Sequence, residues 1–147
     1  MIDTLLVHAT AIAIEGDASL LRGPPGAGKS DLALRLIEDG ARLLADDQVL
    51  LRRAENHVFV RAPAAIAGLI EVRGVGILRV DCLDEAPLAL VVDLVPSAEV
   101  ERVPDTRFEV VLGLPIRLIA LAPFEVSATA KLRLARRALP HGSVYRL

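Results

Sequence analysis

The chain has 147 residues, of which 53% are hydrophobic, and this is enough to build one compact domain that we expect to span residues 1–147. A formal net charge of -2 gives no electrostatic reason to expect a nucleic-acid partner. The single cysteine excludes an internal disulfide, and no apolar run reaches the ~18 residues of a membrane span. With no evident signal peptide, these features predict a soluble cytoplasmic protein without a membrane partner.

The predicted elements are rich in short strands. Residues 4–14 and 18–21 are predicted as strands, and a helix over 29–40 places Leu32, Ala33, Leu36 and Ile37 on one face, with Gly40 at its left-handed C-terminal end. Further strands are predicted over 41–47, 48–53, 57–62, 76–80, 88–95, 108–113 and 115–121, with a loop at 62–74. A closing helix over 127–139 would carry Leu132, Ala135 and Leu139 on one face. The order lacks regular strand–helix alternation and predicts a strand-rich α/β domain with a mixed sheet.

A glycine loop lies between the second predicted strand and the first predicted helix. It matches the pattern G-x-x-x-x-G-K-S in full, through Gly23, Pro24, Pro25, Gly26, Ala27, Gly28, Lys29 and Ser30. Such a loop directs backbone N–H groups and the start of a helix towards phosphate oxygens, while the lysine reaches the outer phosphates and the serine ligates Mg²⁺. This pattern in this context predicts a nucleotide site.

Two places could supply the acid that serves the metal. Asp93 ends the apolar run LALVVD, which is the form of a second Mg²⁺-coordinating motif in many nucleotide enzymes. Asp46 and Asp47 end LLADD, closer to the loop. Adjacent strand residues point to opposite faces, so both members of this pair can serve one site only where a strand ends or kinks. Spacing leaves both alternatives open.

Several segments together resemble the C-terminal catalytic domain of bacterial HPr kinase/phosphorylase. They are the glycine loop with its helix, GARLLADDQV and LIEVRGVGILRV, of which EVRGVGI is the specific part. The resemblance runs from His8 to about Pro123 and suggests a short form that lacks the family's separate N-terminal domain. It implies the P-loop fold shared with phosphoenolpyruvate carboxykinases, with one helix after the loop, a C-terminal helix and assembly as a hexamer.

The same resemblance implies roles by position. His8 matches the histidine near the transferred phosphate, and the lysine and serine of the loop match the phosphate-binding lysine and a metal ligand. Asp47 matches the proton acceptor, with Asp46 beside it. Glu71 matches a second Mg²⁺ ligand, and Arg102 falls where the family has a catalytic arginine. The chemistry agrees, because a serine hydroxyl needs a carboxylate to accept its proton.

The function implied is that of an ATP-dependent protein-serine kinase using ATP and Mg²⁺ and acting on the phosphocarrier HPr or its nitrogen-branch relative. Two alternatives are a small-molecule kinase using Asp93 as its metal acid and a non-catalytic nucleotide-binding regulator.

The C-terminal part departs from the family. Where bifunctional members carry a PGRN-like loop, this chain has Pro123, Phe124 and Glu125. Phenylalanine cannot donate hydrogen bonds to phosphate and glutamate would repel it, so we expect weak or absent phosphorolysis. A nearby basic cluster is either a docking face or a solvated helix face, and it consists of Lys131, Arg133, Arg136 and Arg137.

Overall fold

The computed structural model describes residues 3–137, in which eleven strands and two α-helices follow one another along the chain. In chain order they are β1 Thr4–His8, β2 Thr10–Ile14, β3 Asp17–Arg22, α1 Lys29–Glu38, β4 Arg42–Ala45, β5 Gln48–Ala54, β6 His57–Arg61, β7 Leu69–Val72, β8 Gly76–Arg79, β9 Ala86–Leu94, β10 Arg107–Val111, β11 Leu114–Leu121 and α2 Ala128–Arg137. Short 3-10 turns lie at Ala64–Ile66 and Ser97–Glu99. The predicted mixed, strand-rich α/β fold with two helices is confirmed.

Within the described residues, nine of the strands form one mixed sheet. Seven follow the order β1-β5-β6-β9-β3-β2-β4, and β10 joins through β11, which pairs with β9. Strand β9 runs parallel to β3 and β11, and the other pairings are antiparallel. Its sequence APLALVVDL is mostly buried, as is typical of a strand covered on both faces. Strands β7 and β8 form a separate hairpin.

Alternate residues of the central strands face two different hydrophobic clusters. In β3, Leu20 faces one cluster and Leu21 the other, and Val91 and Val92 divide in the same way in β9. This is the two-residue period of a strand with both faces buried. The second cluster lies on the helix side, because it also contains the buried helix residues Leu32, Ala33, Leu36, Ala128 and Leu132. Each fully buried leucine stabilises the fold by about 2 kcal/mol.

The first helix is stabilised as its sequence pattern predicts. The buried face of α1 carries the expected residues, and Ile37 packs partly buried against the same cluster. The chain leaves α1 through Gly40, whose φ of +105 is the left-handed conformation that glycine adopts at low cost. The N–H of Ala41 donates to Leu36 O at 2.9 Å and closes the turn. The buried stripe fixes the helix against the sheet and therefore fixes the glycine loop that precedes it.

Two of the predicted elements are wrong. The predicted strand 4–14 is interrupted at Ala9 into β1, which pairs with β5, and β2, which pairs with β3 and β4. The predicted loop 62–74 contains β7, whose Ile70 is fully buried in the helix-side cluster. The sequence pattern did not indicate this strand, because the strand is only four residues long and follows a proline- and alanine-rich turn. Of the predicted α2 face, Leu132 and Ala135 pack inward, and Leu139 lies outside the described residues.

Candidate active site

The glycine loop, residues 23–30, connects the end of β3 to the start of α1. Gly28 immediately precedes the helix with a φ of +101, a conformation that L side chains rarely adopt. Its carbonyl accepts the first helical hydrogen bond from Leu32 N at 2.9 Å. No side-chain hydrogen bond caps α1 at Gly28. The first-turn amides therefore retain donors suited to an anion.

Lys29 folds back over this loop. Its Nζ donates to Gly23 O at 2.6 Å and to Pro24 O at 3.1 Å, and the side chain lines the cleft. Both partners are neutral carbonyl oxygens, so the ammonium charge is hydrogen-bonded without being neutralised. The loop therefore presents a cation that can exchange these carbonyls for an anionic ligand.

Asp46 is the centre of the polar contacts beside the loop. Its Oδ1 accepts from Ser30 Oγ at 2.6 Å and from Thr10 Oγ1 at 3.1 Å, and its Oδ2 accepts from Glu71 N at 2.9 Å. The residue is only 8% exposed, so its carboxylate is stabilised by these three donors rather than by bulk water. Asp46 thus joins the glycine loop, β2 and β7 at one point.

Asp47 points the other way, into solvent. Strand β4 ends at Ala45, and Asp47 has a left-handed φ of +69. This turn after the end of β4 allows the two adjacent aspartates to serve one site. Asp46 contacts Ser30, and Asp47 lines the cleft. The Asp47 side chain is 71% exposed, and its Oδ1 lies 3.9 Å from Nδ1 of His8. His8 is beside the cleft but is not among the residues that line it.

The cleft has a volume of about 390 Å³. Its lining brings together much of the predicted site from distant parts of the chain: Pro25, Gly26, Gly28, Lys29, Ser30, Asp47 and Glu71. Arg73 and Val72, from the β7–β8 hairpin, and Phe124 also line it. The cleft therefore combines a lysine, helix-start amides and carboxylates that are far apart in sequence.

The oxygen donors of this region fit Mg²⁺. They are the Ser30 hydroxyl and the carboxylates of Asp46, Asp47 and Glu71, which are the hard ligands that Mg²⁺ prefers. Within residues 3–137 no group of three or more His, Cys, Asp or Glu side chains forms a metal cluster. Mg²⁺ does not require one, because it usually binds through one or two carboxylates, waters and substrate phosphates.

Two further candidates from the sequence, one acidic and one basic, do not line the cleft. Asp93 accepts from Arg22 Nε at 2.8 Å and from Nη2 at 3.1 Å, and the same guanidinium also binds Glu109. Burial lowers the pKa of Arg22, but the hydrogen bonds and charges of these two carboxylates outweigh it and raise that pKa. Asp93 does not line the cleft, so the geometry does not favour it as the metal acid. Arg102 is exposed before β10 and also lies outside the cleft lining, so its catalytic role stays a prediction.

Comparison with known proteins identifies the family of the chain. The family model described as the HPr Serine kinase C-terminal domain matches residues 1–121. The chain belongs to this family. An HPr kinase/phosphorylase from Cupriavidus metallidurans is 34% identical over 152 aligned residues, covering 96% of this chain and 46% of that protein. The chain thus spans about half the length of such relatives.

A second relative and a solved structure support the family. The HPr kinase/phosphorylase of Peptoclostridium acidaminophilum is 47% identical over 75 residues, or 50% of this chain and 24% of that protein. The structure of the Hpr(Ser) kinase/phosphatase from Coxiella burnetii superposes with a TM-score of 0.77 at 26% identity, covering 90% of this chain and 87% of the other.

Among the described residues, neither helix has the length and apolar character that a membrane span needs.

The segment of Pro123, Phe124 and Glu125 lies beside the glycine loop. A Cβ placed on Gly28 would lie 2.9 Å from Cζ of Phe124, so the ring packs directly on the loop backbone. Arg35 of α1 donates to Pro123 O and ties this segment to the helix. Glu125 accepts from Lys131 Nζ at 2.8 Å, which lowers the pKa of the glutamate, and it does not line the cleft. The expectation that Glu125 repels phosphate therefore finds no support in the geometry, whereas Phe124 does line the cleft.

The basic cluster on α2 does not form one free surface. Arg136 is bound to Asp17 through contacts of 2.7 and 2.9 Å, and its side chain is only 9% exposed. Arg133 donates to Asp39 O at 3.3 Å, and Arg137 donates to Arg133 O at 3.4 Å. Arg136 thus links α2 to the start of β3, which is neither of the two roles that the sequence suggested.

Thr10 is a residue beside the site that sequence reasoning missed. It is fully buried at the start of β2, where it contacts Asp46 and accepts a hydrogen bond from Asp47 N at 3.3 Å. The only signal is a polar residue at the head of an apolar strand two positions after His8. Such a threonine is common in strands and indicates no function by itself.

Proposed function

We propose that the chain is an ATP-dependent protein-serine kinase that phosphorylates HPr or its nitrogen-branch relative. The observation that carries the proposal is the shared cleft, in which Lys29, Ser30, Asp47 and Glu71 face one space of nucleotide-phosphate size. Membership of the HPr kinase family supports the acceptor. The proposal extends to a cytoplasmic homo-oligomer, a hexamer by resemblance, and to Arg102 as a catalytic arginine.

Binding of the phosphates is assigned to the loop and the start of α1. The amides of the first helical turn would donate to phosphate oxygens, and the Lys29 ammonium would move from the carbonyls of Gly23 and Pro24 to the outer phosphate. Because phosphoryl transfer consists mainly of positioning and charge neutralisation, this exchange supplies much of what catalysis needs.

Proton transfer is assigned to Asp47. As the serine oxygen forms its bond to the γ-phosphorus and the bond from that phosphorus to the β–γ bridging oxygen breaks, the Asp47 carboxylate accepts the hydroxyl proton. The exposure of Asp47 leaves it accessible to a protein substrate. His8, whose Nδ1 lies 3.9 Å from Asp47 Oδ1, is assigned a position near the transferred phosphate, as the resemblance implies.

Mg²⁺ would be held by Ser30 and Glu71, with Asp46 beside them. A cation held by these residues would supply positive charge that offsets the negative charge of the outer phosphates. Asp46 already orients the Ser30 hydroxyl at 2.6 Å and holds the Glu71 backbone at 2.9 Å, so one buried carboxylate aligns both ligands. Residues that hydrogen-bond to metal ligands in this way fix the orientation of those ligands.

The test is transfer of radiolabelled phosphate from ATP to purified HPr and, separately, to its nitrogen-branch relative. We expect label on a serine of one carrier, and none on that carrier when its acceptor serine is replaced by alanine. Nucleotide binding without label on either carrier would favour the regulator alternative. Label on a small-molecule acceptor instead would favour the small-molecule kinase.

A further inference from the structure

We infer that Thr10 is a positioning residue that sets the two aspartates of the site in their opposite orientations. The inference rests on the proposed function, since it assigns Thr10 a part in the same transfer. Thr10 is completely buried and does not line the cleft, so it acts through Asp46 and Asp47 rather than on a substrate.

One hydroxyl makes both contacts. The single O–H of Thr10 donates to Asp46 Oδ1 at 3.1 Å, and its oxygen lone pairs accept from Asp47 N at 3.3 Å. A hydroxyl can do both at once, because it has one donor and two acceptor positions. Valine has the same shape and neither function, whereas serine keeps both.

The backbone of Asp47 needs such support. Its φ of +69 is uncommon for a residue with a side chain, and neighbouring contacts must hold it. Ala9 N donates to Asp47 O at 3.2 Å, and Thr10 accepts from Asp47 N, so Ala9 and the first residue of β2 bind both backbone polar groups of Asp47. The interruption at Ala9 is what brings these two contacts to the same turn.

The arrangement links Asp47 to the glycine loop. Ser30 and Thr10 share the same oxygen of Asp46, so the position of the loop serine and the position of the Asp47 backbone depend on one buried contact set. Loss of the Thr10 hydroxyl would leave Asp46 with two donors and leave Asp47 N without its partner. We expect misplacement of the proton acceptor and a smaller change at the phosphate-binding loop, because Asp46 keeps its contacts with Ser30 and Glu71 whereas Asp47 N loses its partner.

The test compares Thr10→Val and Thr10→Ser with Ser19→Ala. Ser19 is a matched control, because it is fully buried on the adjacent strand β3 and its Oγ has no hydrogen-bond partner among the described residues. In nucleotide-free protein, amide hydrogen exchange at Asp47 should be about 5- to 10-fold faster in Thr10→Val, as loss of one hydrogen bond predicts. It should be unchanged in Thr10→Ser and Ser19→Ala.

With ATP and HPr, Thr10→Val should lower kcat roughly 10- to 100-fold, as misplacement of a catalytic group does, while KM for ATP changes less than about threefold. Thr10→Ser should restore kcat. Equal losses in Thr10→Val and Thr10→Ser, or parallel changes in kcat and KM, would overturn the inference.

Two outcomes separate this inference from the proposed function. If the wild-type chain transfers no phosphate to HPr, the proposed function fails, and exchange at Asp47 still decides whether Thr10 holds the turn. If Thr10→Val does not fold, the wild-type protein decides: an Asp47 amide that exchanges as fast as in an unstructured peptide contradicts the contact.

Discussion

Replacing Lys29 with alanine is expected to separate ligand binding from stability. In the ligand-free protein the ammonium donates, within residues 3–137, to two carbonyl oxygens of its own loop, those of Gly23 and Pro24. Their loss should lower the free energy of unfolding by about 1 kcal/mol, or roughly 3 °C in Tm for a chain of this size. The fold should therefore survive the substitution.

The effect on Mg-ATP binding should be much larger. Hydrogen bonds to a charged partner contribute about 1.5–3 kcal/mol each, so loss of the lysine–phosphate contact should raise Kd by roughly 150-fold if it costs about 3 kcal/mol. At a nucleotide concentration of 100 times the wild-type Kd, ligand stabilisation should then fall from about 2.7 to about 0.3 kcal/mol. Phosphorylation of HPr should fall with it.

The measurements are calorimetric titration with Mg-ATP and thermal unfolding with and without nucleotide. Lys131→Ala is the matched control, because Lys131, on α2, is the other lysine of the chain and its ammonium binds Glu125. That variant should bind Mg-ATP as the wild type does. Undiminished binding and phosphorylation in Lys29→Ala would refute the assignment of the loop.

Three further predictions concern the acids, the direction of the reaction and the attachment of α2. Asp47→Asn should abolish phosphorylation of HPr while Mg-ATP still binds, and Asp93→Asn should reduce transfer only mildly; kinetics showing the reverse pattern would favour the small-molecule kinase. Phosphorylated HPr incubated with Mg²⁺ and excess phosphate should release little pyrophosphate, because Phe124 offers phosphate no hydrogen-bond donor, and release at the forward rate would contradict this. Arg136→Ala should lower the free energy of unfolding by about 2 kcal/mol, or roughly 6 °C in Tm, by leaving the partly buried Asp17 carboxylate without its guanidinium partner, whereas Arg137→Ala should change it little; equal Tm values for the two variants would count against the ion pair.

Local pattern was sufficient for the parts of the protein that depend on near neighbours in sequence. The glycine loop, the buried stripe of α1 and the left-handed Gly40 follow from spacing over a few residues, because helix periodicity and φ preferences act at that range. The run that ends in Asp46 and Asp47 also indicated that both aspartates could serve one site only where the strand ends or kinks, since adjacent strand residues face opposite ways, and β4 ends at Ala45.

Contacts between distant segments decided the rest. Asp93 has the sequence form of a metal acid, but its carboxylate is bound by Arg22, with Glu109 of β10 on the same guanidinium. Asp46 and Thr10 are 36 residues apart, so their hydrogen bond exists only once β2 and β4 pair. Strand pairing across the whole sheet determines these hydrogen-bond partners. The sequence alone does not predict them, because the residue types in the strands are compatible with several different pairings. Only the tertiary structure determined which carboxylate faces the cleft.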